Sequence, residues 1–317
     1  MFNILKKEKK QNDDGIVILK KTEPNVCGGT DATLNTNAPK EIKSDNMILF
    51  NVTSSFKSVM MIPDPDIDNS ESLNYISAFA VPSENGTFLF LEKNSDYRMN
   101  NNRQSSWALV KENIFPDLVS LVKDCGLAES NGFHSITHGL PENFGGSVNI
   151  KYSDGEYISF SDNQSPVISV STGIKIAKLF AEAMKGSIID LPDVSAIRKI
   201  RFDEERGSDG FTRAILTFNS DGTGTNFKSQ RFDDPKVYES EKPVDADTIT
   251  AIKNNIEANG ILAWSGIPES YYKNNRNKTL TFVFEDNQEI TVRGDRLLPD
   301  RIQGGFFNIE LEMTTKH

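Results

Sequence analysis

The chain has 317 residues, of which 37% are hydrophobic and 25% are charged, and its formal net charge is −10. These proportions are ordinary for a folded globular protein, and the length corresponds to about two domains. The acidic balance disfavours a general nucleic-acid or anionic-membrane surface, because both partners would repel the protein.

The first 43 residues are predicted to be a tail and an extended connector. Residues 1–14 are polar and lysine-rich, Ile16 to Leu19 predicts one possible strand, and residues 25–43 are rich in small polar side chains. The start lacks the apolar stretch of a signal peptide, and no stretch approaches the ~20 apolar residues of a membrane helix. Cys27 and Cys125 form no disulfide framework, so we expect free thiols in a cytoplasmic protein.

Two stretches of the sequence predict the same β-hairpin, residues 147–160 (SVNIKYSDGEYISF) and residues 279–292 (TLTFVFEDNQEITV). In each stretch apolar and polar residues alternate, as in a strand with one buried face. Asp154-Gly155 supplies the first turn and Asp286-Asn287 the second. The two copies match at a constant shift, and a one-residue slip would move every side chain to the other face. This match predicts an internal duplication.

Similar elements precede each hairpin. A strand at Met47–Val52 and a hairpin turned at Asn85-Gly86 come before the first copy, and Ala196–Phe202 with a hairpin turned at Asp221-Gly222 before the second. An amphipathic helix then leads to each copy, with Gly126 closing the first helix and Gly260 the second.

A further apolar stretch follows each hairpin. Residues 174–186 carry a helical stripe, whereas residues 306–313 fit a helix or a strand. The predicted fold class is α+β, with two tandem copies of a strand–hairpin–helix–hairpin–helix unit and mostly antiparallel sheets. The predicted domains are residues 44–190 and 191–317, which follow the tail and connector of residues 1–43.

The sequence HSITH is a candidate motif for a transition metal. It places His134 and His138 four residues apart, which on a helix would point both imidazoles the same way, and Glu129 or Glu142 could add a carboxylate. Gly132, before the motif, and the glycines and proline after it disfavour a helix, so we expect a surface loop.

Two other features have a chemical interpretation and a structural one. The acidic cluster at residues 203–205 and 209 could bind calcium, but solvated charge is the expected state. Trp264 could line a pocket, but we expect it to pack a helix onto a sheet.

The shared positions of the two predicted copies are apolar faces, turns and caps, and they include no catalytic motif. The favoured function is therefore a non-catalytic cytoplasmic binding or protein-interaction module built by internal duplication. A protein or a small molecule could be its ligand, and no cofactor is indicated. The alternative is a metal-dependent hydrolase with a site at His134, His138 and Glu142, so an enzyme is disfavoured but left open.

Overall fold

The computed structural model describes residues 15–21, 29–56, 73–94, 104–140, 144–206, 208, 210–232, 235–268, 277–294 and 300–314. These residues form two mostly antiparallel sheets together with α-helices, which confirms the α+β class. The helices are α1 (Phe115–Asp124), α2 (Val170–Ala183), α3 (Ala246–Ala258) and α4 (Asp300–Thr314). The ambiguous stretch at residues 306–313 is thus helical.

The first sheet has the strand order β1-β2-β7-β9-β8-β3-β4-β5-β6, and its one parallel pair among the described registers is β7 with β9. Its strands are β1 (Ile16–Lys20), β2 (Thr30–Asn35), β3 (Met47–Ser55), β4 (Tyr75–Ser83), β5 (Gly86–Asn94), β6 (Gln104–Val110), β7 (Phe133–Thr137), β8 (Gly146–Tyr152) and β9 (Tyr157–Asp162).

The second sheet has the strand order β13-β12-β11-β10-β14-β15. Its strands are β10 (Ile197–Glu205), β11 (Phe211–Phe218), β12 (Gly224–Arg231), β13 (Val237–Val244), β14 (Asn277–Phe284) and β15 (Glu289–Arg293). Six strands of the first sheet, in the order β9-β8-β3-β4-β5-β6, have the same arrangement as the second sheet read in the order β15-β14-β10-β11-β12-β13. The first sheet adds β1, β2 and β7, which we call the extension.

Both predicted hairpins form with the expected register. Val148 faces Phe160 across β8 and β9, and Leu280 faces Val292 across β14 and β15. The second turn uses Asn287 at a φ of 69°, the left-handed conformation that asparagine tolerates. Alternation and turn chemistry were therefore sufficient to predict these four strands.

The central strands β3 and β10 are interrupted at corresponding points. The pairing of β3 with β8 shifts between Met47 and Leu49, and the pairing of β10 with β14 shifts between Ile197 and Lys199. Beyond each irregularity the ladder continues, with Phe50 opposite Ile150 and Ile200 opposite Phe282, all fully buried.

The helices of each unit pack on the apolar face of its sheet. The ring of Phe180 on α2 lies 5.9 Å from that of Phe50 on β3. Trp264 follows α3, is almost fully buried and stacks on Phe306 of α4 at 6.4 Å. This confirms a packing role for Trp264 and places the core between helices and sheet.

Each sheet contains one strand, at one end of its strand order, that the sequence did not predict. β6 was not predicted, and β13 occupies a segment interpreted as a polar insert. All residues of β13 except Lys242 and Val244 are exposed, so it lacks the alternation that reveals a half-buried strand.

Contacts between Cα atoms divide the chain into two compact units. One is Met1–Val81, Leu89–Ser106 and Glu112–Ser187, and the other is Pro82–Phe88, Trp107–Lys111 and Ile188–His317. The domain bounds 44–190 and 191–317 stay predictions.

Candidate functional site

The extension presents one buried face and one open face. Val17, Ala32 and Ser135 are buried on one side. Residues directly opposite each other in a ladder share a face, and the pairing of Ile18 with Thr33 and of Thr33 with His134 therefore defines the other side. We call it the open face of the extension, and its residues are Ile16, Ile18, Asp31, Thr33, Asn35, His134 and Ile136.

Large aliphatic side chains are exposed on this extension. Ile136 on β7 keeps 55% of its surface accessible, Ile18 on β1 keeps 39%, and Leu19 beside it keeps 46%. Single exposed apolar residues are common on proteins, but several on one edge strand, as on β1, are typical of an interaction surface.

The HSITH segment forms strand β7 and the residue that follows it, so the prediction of a surface loop is wrong for residues 133–137. Buried Ser135 and Thr137 alternate with outward-facing residues. The flanking glycines do not break this strand, because its partners lie far away in sequence, on β2 and β9.

The two histidines have different partners. His134 Nδ1 lies 3.0 Å from Ser161 Oγ, and His138 Nε2 lies 3.1 Å from Asp31 Oδ2. A strand advances about 3.3 Å per residue, so four residues separate the two Cα atoms by about 13 Å. Burial lowers the pKa of His134 below its ordinary value, so its ring is neutral at pH 7.

Glu142, the third residue of the predicted metal site, lies outside the described residues. Within the described part of the chain, no three His, Cys, Asp or Glu side chains form a group that could hold a metal ion. The site at His134, His138 and Glu142 therefore stays a prediction.

Two asparagines that sequence reasoning missed hold β7 in the sheet. Asn163 accepts a hydrogen bond from Thr137 N (2.6 Å) and donates one to Thr137 O (3.0 Å), which imitates a neighbouring strand. Asn131, fully buried before β7, donates to Tyr157 O (2.7 Å) and accepts from Ser159 N (2.7 Å). A buried amide needs such partners, but the pairing is long-range and leaves no local sequence signal.

The acidic cluster of residues 203–205 is paired with basic side chains rather than simply solvated. Glu204 is only 3% exposed and lies 2.6 Å from Arg206 Nη2 and 3.7 Å from Lys278 Nζ. Lys278 also contacts Glu310 at 2.5 Å, and Asp203 pairs with Arg201. These pairs link β10, β14 and α4; Asp209 lies outside the described residues.

A pocket lies in the second unit, beside the segment that leads from α2 to β10. Its apolar wall includes Trp107 from the middle of β6, Leu191 and Leu262, and the acidic residues Asp193 and Glu257 also line it. All its lining residues belong to the second unit.

Comparison with known protein families and with curated proteins finds no match to this chain. Among the described helices, none combines the length and apolar character needed to cross a membrane.

Proposed function

We propose that this chain is a non-catalytic protein-binding module of the cytoplasm, which binds an extended polypeptide segment along β1 and the open face of the extension. The observation that carries the proposal is the group of exposed aliphatic side chains on β1, where Ile16, Ile18 and Leu19 are exposed by 37%, 39% and 46%. A surface of this kind lowers the free energy of a complex by burying apolar area.

The position of β1 indicates how the segment would bind. β1 stands at the end of the described strand order, and an edge strand offers backbone donors and acceptors to an added strand. Ile16 and Ile18 would contact alternate apolar residues of the partner. Lys20 and Lys21 at the end of β1 are exposed, so a segment with acidic residues at one end complements them.

We also infer that the two units descend from one duplicated ancestor. The shared strand order, the register shifts at Met47/Leu49 and Ile197/Lys199, and the left-handed glycines Gly126 and Gly260 support this inference. The extension has no counterpart in the described second sheet, and an addition to one copy is a natural place for a function that the other lacks.

A labelled peptide tests the binding proposal. The chain's own residues 12–19, NDDGIVIL, have the required chemistry, two aspartates followed by aliphatic residues. We expect this peptide to bind the full chain saturably in an anisotropy titration. A control peptide with Asp13→Lys and Asp14→Lys should bind at least about tenfold more weakly, because it places like charges near Lys20 and Lys21.

Two matched variants locate the site. Ile18→Lys on β1 should abolish binding, whereas Val237→Lys on β13, at an edge position with 45% exposure, should leave it unchanged. Equal binding by both variants, or no binding to the unmodified chain, would refute the proposal. Self-association that Ile18→Lys removes would support it, since a second copy brings the same segment.

A further inference from the structure

The pocket of the second unit has a size suited to a single ring. Its volume is about 190 Å³. A protein cavity of about 150 Å³ holds benzene, and pockets for drug-sized ligands begin at about 300 Å³. The apolar wall, which includes Leu191, Pro192 and Val194, is suited to the body of such a ring.

The indole of Trp107 is held firmly in the wall of this pocket. Its Nε1 donates a 3.0 Å hydrogen bond to Glu257 O at the end of α3. Its ring lies against Gly260, where an added Cβ would come within 2.3 Å of the ring atoms. Gly260 also has a φ of 59°, so glycine serves both the helix end and the close approach of the ring. A ring held in this way loses little entropy when a ligand binds.

The charged groups of the pocket are acidic. Asp193 and Glu257 both line it, and both residues are exposed towards solvent. Hydrogen bonds from Ser195 lower the pKa of Asp193, which keeps its carboxylate charged at neutral pH. The nearby cation Lys253 also lowers the pKa of Asp193, and it donates to Ser195 O at 3.0 Å and lies 5.1 Å from the centre of the Phe218 ring.

We infer that this pocket binds a small cationic amine that carries one ring. The ring would pack against the aliphatic wall, and the ammonium group would be attracted by the two carboxylates and by the indole face, because tryptophan is the strongest aromatic partner of cations. This site goes beyond the protein-binding function proposed above, since it lies in the other unit and uses no residue of the extension.

Ligand-observed NMR with phenethylamine on the unmodified full chain tests the inference. We expect saturation transfer to phenethylamine with a saturable dependence on concentration. Ethylbenzene, the same ring without charge, should bind about fivefold more weakly, and 3-phenylpropionate, an anion of similar size, should bind most weakly. No transfer to phenethylamine, or equal transfer to all three probes, would overturn the inference.

Variants at the pocket then assign the contacts. Glu257→Gln should weaken phenethylamine binding about two- to fivefold and leave ethylbenzene unchanged, and Trp107→Leu should weaken both probes. Glu239→Gln, on the exposed strand β13 outside the pocket lining, is the matched control. If Glu239→Gln weakens phenethylamine as much as Glu257→Gln does, the attraction comes from overall charge and the inference fails.

Discussion

The two units place very different residues at one corresponding buried position. In the first sheet Ser54 pairs with Gly146, and in the second Glu204 pairs with Lys278, each two residues beyond a buried apolar pair. Ser54 is fully buried and accepts a 3.3 Å hydrogen bond from Val167 N, whereas Glu204 is 3% exposed within a cluster of charged side chains.

This difference shows what a shared scaffold constrains. Strand alternation decides that both positions face the helices, but the residues above the sheet decide which side chain fits. Lys278 has Glu310 on α4 as a partner. An added Cβ at Gly146 would lie 2.0 Å from Thr53 O, so the first sheet has no room there for a long side chain.

The largest effects should come from two buried core residues, Ile150 and Phe282, which occupy matching places in the two sheets. Ile150→Ala and Phe282→Ala should each lower the free energy of unfolding by about 2–5 kcal/mol, because both side chains are fully buried opposite the central strand. Asn149→Ala, one residue away and facing the other side, should cost less than about 1 kcal/mol. Urea denaturation measures all three. A small loss at either core position would contradict the proposed correspondence.

Lys278→Met should lower the free energy of unfolding by about 3 kcal/mol. This is the lower end of the range for breaking a buried ion pair, because Arg206 still pairs with Glu204. The matched control is Lys123→Met in the first unit. Lys123 pairs with Asp45 at 2.6 Å on the surface, and such a pair contributes about 0–1 kcal/mol. Similar losses in the two variants, measured by urea denaturation, would show that the charged cluster of the second unit adds no stability.

The two helix-ending glycines should respond differently to alanine. Gly126→Ala should lower the free energy of unfolding by about 1 kcal/mol, because alanine disfavours the left-handed conformation. No further loss is expected, since the nearest atom to the added Cβ is in the flexible carboxylate of Glu129, at 3.1 Å. Gly260→Ala should cost about 1–2 kcal/mol more, because its Cβ would strike the Trp107 ring. Thermal unfolding and tryptophan fluorescence report the two effects. Equal losses without a fluorescence change would exclude a tight Gly260–Trp107 contact.

The smallest effect concerns a tyrosine in one unit that aligns with a phenylalanine in the other. Burial, and then nearby acidic groups, raise the pKa of Tyr152 from 10.0 to about 12; its counterpart Phe284 does not ionise. Because the folded pKa is raised, ionisation favours the unfolded chain. The contribution of Tyr152 to the free energy of unfolding is fully present below pH 10 and is lost between pH 10 and about 12.

Tyr152→Phe tests this asymmetry. The difference in free energy of unfolding between the variant and the unmodified chain should shift by about 1.4 kcal/mol in favour of the variant when the pH is raised from 9 to 11. Urea denaturation at the two pH values gives the result, with Tyr157→Phe at an exposed position as the control. The same pH dependence in all three proteins would mean that Tyr152 ionises as readily in the folded state as in the unfolded state.

Local patterns predicted the elements whose signals lie within a few residues. The turns at Asp154-Gly155 and Asp286-Asn287 formed as expected, and Gly126 and Gly260 both adopt the left-handed conformation after a helix. These features depend on backbone preferences and on strict alternation, which the chain carries without reference to distant residues.

The candidate site was the part that local patterns could not predict. HSITH is bracketed by glycines that suggested a loop, yet β7 forms between β2 and β9. Its stability depends on Asn131 and Asn163, whose partners are about 26 residues away. β13 was missed for a related reason, since an edge strand that is exposed on both sides has little need of alternation.

By itself, the sequence determined the hairpins, the helix ends and the apolar faces, because backbone conformation and periodicity are local properties. Only the tertiary structure decided that β1, β2 and β7 join the first sheet, that Glu204 is buried beside Lys278, and that Trp107 lies on Gly260. Each of these depends on residues far apart in the chain, whose contact free energies exist only once the strands and helices are brought together.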